Sequence, residues 1–191
     1  MDEHLRQLIA SWKRTAVVAD ENPLRSELLS AERLEEYAGL LAAQHKDASA
    51  GRGKSLLPRL EENERILIGA YETISEAVRR DRTLTPAAEW LIDNFHIVDE
   101  QLREIREDLP ESYYRELPKL RTGELAAYPR IYAIALGLIS HTDSRLDVDN
   151  LKRFILAYQT VTPLTIGELW ALAITLRIAL VENLRRIARA L

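Results

Sequence analysis

The chain has 191 residues, with 26 basic and 30 acidic side chains giving a formal net charge of -4, and it has no cysteine. That length suits a single core of ordinary size, and the near-balance of charge provides no general basic field for nucleic acid or anionic lipid. Without Cys, disulfides, thiolate metal sites and cysteine nucleophiles are excluded, and a reducing compartment fits. The first twenty residues carry Asp2, Glu3, Arg6, Lys13 and Arg14 without the continuous apolar run of a signal peptide, so a cytoplasmic piece is expected.

In chain order, Leu5, Leu8, Ile9, Trp12 and Ala16 recur at helical spacing and predict an amphipathic helix over 2–19, ending before Asn22-Pro23. It reads as a packed outer helix, with a membrane-surface or partner helix as the alternative. Ser30 is placed to cap a second helix that runs through Leu34, Tyr37, Ala38 and Leu41 to 45. These two form an N-terminal helical arm, 1–46. The small, polar stretch KDASAGRGKS then supplies a flexible linker, 47–55, ahead of a main helical bundle domain, 56–191.

The linker contains Ala48-x4-Gly53-Lys54-Ser55, a relaxed match to a phosphate-binding loop. Such a loop joins a buried strand to a helix. Here a helix precedes it, and no apolar run ending in Asp offers a second magnesium ligand, so the linker reading stands.

Residues 56–81 predict a long helix with Pro58 in its first turn and Leu60, Leu67, Tyr71, Ile74 and Val78 on one face, Asn63 lying at its edge. Thr85-Pro86 opens the next helix, 86–108, as N-cap and first position. Its apolar arc of Trp90, Leu91, Phe95, Val98, Leu102 and Ile105 encloses two polar residues, Asn94 and Gln101. Buried amides need partners, so both are expected to hydrogen-bond to a neighbouring helix near Asn63, Arg177 or Asn183, and these five form a candidate buried polar set.

The opposite face carries Glu89, Asp93, His96, Glu100, Arg103 and Glu107. Asp93-x-x-His96 beside Glu100 has the outline of a helical metal site. Such sites need a second inward-facing Glu-x-x-His helix, which His4, His45 and His141 do not provide, so no metal ligand is assigned. Acidic residues on helix surfaces are too common to make a glycosidase pair. In ESYYRELPKLRTGEL, a turn-rich connection, the paired tyrosines are expected to plug the bundle rather than stack on sugar.

Asp147-x-Asp149 matches the cation-binding pair of nucleotide-sugar transferases, but that pair ends a strand of an α/β sheet, and this chain offers no strand series. It reads instead as the N-cap and first-turn acid of helix 148–159. Residues 131–141 are apolar on most sides. Thr165 and Glu168 form a capping box that starts helix 166–187, where Leu169, Trp170, Ile174, Ile178, Leu180, Val181, Leu184 and Ile187 surround the axis and predict burial on most sides. Glu168, Arg177 and Glu182 interrupt it, so it is no membrane span. The fold class is all-α, a multi-helix bundle of about six to seven helices, with no residue assigned to catalysis.

The words ENERILIGAYETISEAVRR, AAEWLIDNFHIVDEQLREIREDLPESYYRELPKL, PRIYAIALGLISHTDSRLD and LTIGELWALAITLRIALVENLRR together resemble the N-terminal region of bacterial cyclic β-1,2-glucan synthases. The resemblance is dense over 56–187 and looser over ENPLRSELLSAERLEEYAGLLAAQH, and WLIDNFHIVDEQLREIREDLP with YYRELPKL is its most specific part. It implies a very large inner-membrane enzyme that polymerises glucose from UDP-glucose with a divalent cation, trims the product by phosphorolysis and cyclises it.

The transferase, phosphorylase and membrane parts of that family have no counterpart in these residues, so none of its catalytic residues is carried over and no cofactor is expected in this fragment. Asn94, Phe95, His96, Tyr113, Tyr114, Arg115 and Glu116 match without an assigned chemistry; His96, Tyr113, Tyr114, Arg115 and Glu116 are candidate surface contacts. The implied partners are the remaining domains of the same polypeptide or a second copy, with no nucleic acid, and with the membrane reached only through the parent chain. The implied location is the cytoplasmic side of the bacterial inner membrane. Two function classes follow: a non-catalytic scaffold or docking domain of the synthase, or a self-contained helical module that binds protein or sugar.

Overall fold

The computed structural model describes residues 22–108 and 111–189, except the side chains of residues 111 and 112. The amphipathic helix expected over 2–19 lies outside the described residues. The elements are α1 (Ala31–Gln44), α2 (Leu57–Arg79), α3 (Pro86–Glu107), α4 (Glu111–Glu116), α5 (Arg130–His141), α6 (Val148–Gln159) and α7 (Ile166–Ala188), and no strand occurs among the described residues.

Local chemistry starts these helices where the sequence says it should. The Ser30, Thr85 and Asp147 side chains accept from the amides of Arg33, Ala88 and Asn150, which satisfies one orphan donor at the head of α1, α3 and α6. Thr165 accepts from the Glu168 amide at 3.2 Å while Glu168 accepts from the Thr165 amide at 2.9 Å, the reciprocal box at the head of α7. One short helix, α4, was not anticipated in the tyrosine-containing connection. Lys119 closes it by donating to the carbonyls of Tyr114, Arg115 and Leu117 at 2.7–2.8 Å.

Helix α5 is the buried rod, with all twelve of its residues buried. Around it, α7 packs along one side, α1 lies across α6, and α2 and α3 close against α7. Leu34, Tyr37, Ala38 and Leu41 of α1 belong to the same core cluster as Leu60, Ile134 and Ile178. Helix α1, grouped with the arm in the sequence, thus shares one core with the bundle. Tyr37 is the reason: its ring meets that of His141 at 4.5 Å, and Gly137 makes room for it, since a Cβ there would sit 3.0 Å from the Tyr37 hydroxyl.

The stretch expected as a flexible linker is tied down. Ser49 and Lys119 exchange backbone hydrogen bonds at 3.1 and 2.9 Å, and the Lys54 amide donates to the Ala127 carbonyl at 2.8 Å. Gly53 permits this approach, because a Cβ there would fall 2.5 Å from that same carbonyl oxygen.

Helix α7 departs further from expectation. Ile166, Leu169, Trp170 and Ala173 are exposed, while Glu168, Thr175, Glu182, Arg185 and Arg186 face the core. The apolar residues that seemed to surround the axis did not predict which side is covered. Paired charges on α7 and its neighbours decide that, because a buried ion needs a partner and an exposed tryptophan does not.

Candidate functional site

The polar side of α7 is built on helical spacing. Glu182, Arg185 and Arg186 stand at i, i+3 and i+4, which brings their side chains together on one face. The Glu182 carboxylate accepts from Arg185 Nη2 at 3.1 Å and Arg186 Nε at 2.9 Å, and takes a two-point fork from Arg59 of α2 at 2.5 and 2.9 Å. Both Glu182 and Arg185 are fully inaccessible. Burial pushes the Glu182 carboxyl up, but the hydrogen bonds and charge of Arg59, with Arg186 and Arg185, outweigh it and hold the group at about 2.

A second buried pair lies at the head of α7. Arg130 of α5 donates to Glu168 at 2.8 and 2.6 Å, so one glutamate both caps its own helix and anchors it to the central rod. Arg130 also reaches the Pro163 carbonyl at 3.1 Å and lies over the Tyr158 ring at 6.0 Å. The Tyr158 hydroxyl bonds His45 Nδ1 at 3.0 Å. Burial and the Arg130 charge depress His45 to about 3, which keeps its imidazole neutral.

Of the five expected buried polar residues, two lie fully inside as candidates for structural roles and three lie between surface and core. Asn183 accepts from the Leu24 amide at 2.6 Å and donates to Ser144 Oγ at 2.8 Å. Asn63 is inaccessible, yet neither its carbonyl nor its amide nitrogen has a hydrogen-bond partner among the described residues. Asn94 is half-buried and donates to the Trp90 carbonyl of its own helix at 2.8 Å, instead of reaching across. Gln101 donates to Glu104 at 3.1 Å, and Arg177 of α7 donates to the same Glu104 oxygen at 2.9 Å. The expected link between α3 and α7 therefore runs through Glu104. Sequence reasoning passed over that residue, as it did Arg59, Arg130, Arg185 and Arg186; the i, i+3, i+4 spacing around Glu182 was the available signal.

Between α3 and α7 runs an open apolar cleft of about 510 Å³, walled by Trp90, Ile97 and Val98 on one side and Leu180, Leu184 and Ile187 on the other. Past Trp90 it continues into a second hollow of about 290 Å³ against Ala87, Leu91 and Ala188. The lining is mostly apolar, with Gln101, Ser144, Arg177 and Asn183 as its polar members. No group of three His, Asp or Glu side chains able to hold a metal occurs among the described residues, and none of the described helices is long and apolar enough to cross a membrane.

In an alignment 148 residues long that covers 73% of the chain, it is 39% identical to the cyclic β-(1,2)-glucan synthase NdvB of Rhizobium meliloti (strain 1021). The chain belongs to the cyclic β-1,2-glucan synthase family. It spans 5% of the length of that relative. No family model matches it.

In this synthase region the motif-like residues have structural surroundings. Lys54 extends over the Tyr128 ring at 5.2 Å, Gly53 packs on the segment 119–128, and Ser55 accepts from the Leu57 amide at the head of α2. Asp147 caps α6, and Asp149 is exposed beside Lys152. Asp93, His96 and Glu100 are exposed on the outer face of α3. Within the specific YYRELPKL word, Tyr113 donates to the Gly167 carbonyl in the first turn of α7. Tyr114 is buried, a correction to its expected place as a surface contact and in keeping with the expected bundle plug, because its ring packs within the core cluster; Arg115 and Glu116 are exposed.

Proposed function

We propose that this region is a non-catalytic docking domain of a cyclic β-1,2-glucan synthase, on the cytoplasmic side of the inner membrane and N-terminal to the parts that use UDP-glucose and its divalent cation. Its partners are the remaining domains of the same polypeptide. The observation that carries this reading is the exposed head of α7: Trp170 is 78% and Ile166 74% accessible, with Leu169 beside them. Tryptophan at an open, rigid helix position supplies large contact area with little entropy to lose, the profile of an interface anchor. The head is held firmly, by the Arg130–Glu168 pair beneath it and by Tyr113 on Gly167. A chain covering 5% of its relative leaves ample polypeptide to occupy such an anchor.

The test is the double variant Ile166→Ser, Trp170→Ser in the full-length synthase, with the exposed Leu156→Ser as control. The double variant should lower the cyclic glucan formed from UDP-glucose by membranes, while the urea midpoint of the 191-residue chain carrying it stays unchanged. Normal glucan output would remove the docking role and favour a self-contained binding module.

A further inference from the structure

We propose that the cleft between α3 and α7 seats one amphipathic helix of the remaining synthase polypeptide, with apolar residues at heptad spacing on its inner face and Lys or Arg along the edge that meets α3. This deepens the docking reading and rests on it, giving the partner segment a secondary structure and a charge.

The spacing of the uncovered residues selects a helix. Along α7, Ile166, Trp170, Ala173, Arg177, Leu180 and Leu184 follow one another at alternating steps of four and three, and each is exposed or half-buried. Along α3, Trp90, Asn94, Ile97, Gln101 and Glu104 repeat the same steps and are likewise exposed or half-buried. Such steps make the heptad seam that a neighbouring helix covers. The two helices run antiparallel, since Arg177 meets Glu104 near one end of the cleft and Trp90 lines its far end with Leu184 and Ile187. Both seams therefore open onto one trough, which runs along α7 from Arg177 to Ala188, roughly 17 Å at the helical rise and room for about three turns of a third helix.

Continuity names the source of that helix. Ile166 and Trp170, the proposed docking anchor, stand at the head of the same α7 seam that floors the cleft. A segment leaving the cleft along α7 meets them next, so the polypeptide that engages the anchor also fills the trough.

Charge sets its edge. Asp93 and Glu100 stand three residues after Trp90 and Ile97, on the outer lip of the cleft, and both are exposed. Arg177, the cation of the lining, is already held by Glu104 at 2.9 Å and by Asp108 at 3.9 Å. The opposite wall presents the neutral Ser144 and Asn183. An apolar trough with one acidic lip is complementary to an amphipathic helix with a basic edge.

Ile97 is exposed on the cleft wall and this chain has no cysteine, so Ile97→Cys reports on the trough. The measurement is the rate of maleimide labelling at residue 97, read by mass spectrometry of its peptide, in the 191-residue chain and in the full-length synthase in membranes. The thiol should react fast in the chain and more slowly in the synthase, by roughly tenfold if the helix leaves the cleft open about one-tenth of the time. Asp93→Lys with Glu100→Lys should bring the ratio of the two rates back toward one. Equal rates without the lysines would overturn the seated helix; the docking reading would then stand if Ile166→Ser, Trp170→Ser still lowers glucan output, and fall with it if output is normal. A thiol already slow in the 191-residue chain would overturn the proposal in favour of the chain's own first residues, or of a second copy if the slowing grows with concentration. Slowing in the synthase that persists or deepens with the two lysines would overturn the basic helix in favour of an uncharged segment or an anionic membrane surface.

Discussion

Glu182 of α7 and Arg59 of α2 meet through two hydrogen bonds, at 2.5 and 2.9 Å, in the buried interior of the bundle. The same carboxylate serves Arg185 and Arg186. A carboxylate that neutralises guanidinium groups away from water cannot be deleted without stranding them. Glu182→Ala is therefore expected to cost about 3–5 kcal/mol in urea unfolding, against about 0–1 kcal/mol for Asp99→Ala at the exposed Asp99–Arg103 pair. Equal costs for the two variants would show that the buried cluster does not hold α2 to α7.

Acid should weaken the fold before any carboxylate of the cluster titrates. Burial and Arg130 lower His45 from 6.5 to about 3, so between those values the unfolded chain binds a proton that the folded chain refuses. This contribution to stability is fully present above pH 6.5 and is lost as pH falls toward 3, at up to about 1.4 kcal/mol per pH unit. His141, lowered by burial against the opposing pull of the Glu27 carbonyl, adds in the same direction. The Glu182 contribution is present above pH 4.5 and is lost only as pH falls from there to about 2, which leaves the interval from 6.5 to 4.5 to the histidines. Urea midpoints measured across that interval should fall less steeply for His45→Gln; an unchanged slope would rule His45 out as the source.

Asn63 and Asn94 should respond differently from each other and from Asn183. Asn63 is buried with both polar atoms unpartnered among the described residues, so Asn63→Leu removes a desolvation cost of about 1–3 kcal/mol and should be neutral or stabilising. Asn94 bonds within its own helix at a half-buried position, and Asn94→Leu should change stability by less than about 1 kcal/mol. Asn183→Leu, which strands the Leu24 amide, should destabilise by about 1–3 kcal/mol. Thermal or urea unfolding of the three variants gives the ordering, and a destabilised Asn63→Leu would mean that its amide has a partner.

What the sequence determined by itself was local. Ser30, Thr85, Asp147 and the Thr165–Glu168 box lie within a few residues of the amides they serve, so the starts of α1, α3, α6 and α7 were legible from spacing alone. The all-α class followed from the same periodicities, and the family from the order of the words around WLIDNFHIVDEQLREIREDLP. What only the tertiary structure decided was which side of each helix is inside. Leu169 and Trp170 read as core and are exposed, whereas Glu168, Glu182, Arg185 and Arg186 read as interruptions and are buried. Their partners, Arg130 at 38 residues' separation and Arg59 at 123, are too far along the chain for any helical period to reveal. The tie of residues 47–55 to Lys119 and Ala127 was hidden for the same reason: a polar, glycine-containing stretch looks flexible until the surface it packs against is brought to it by the fold.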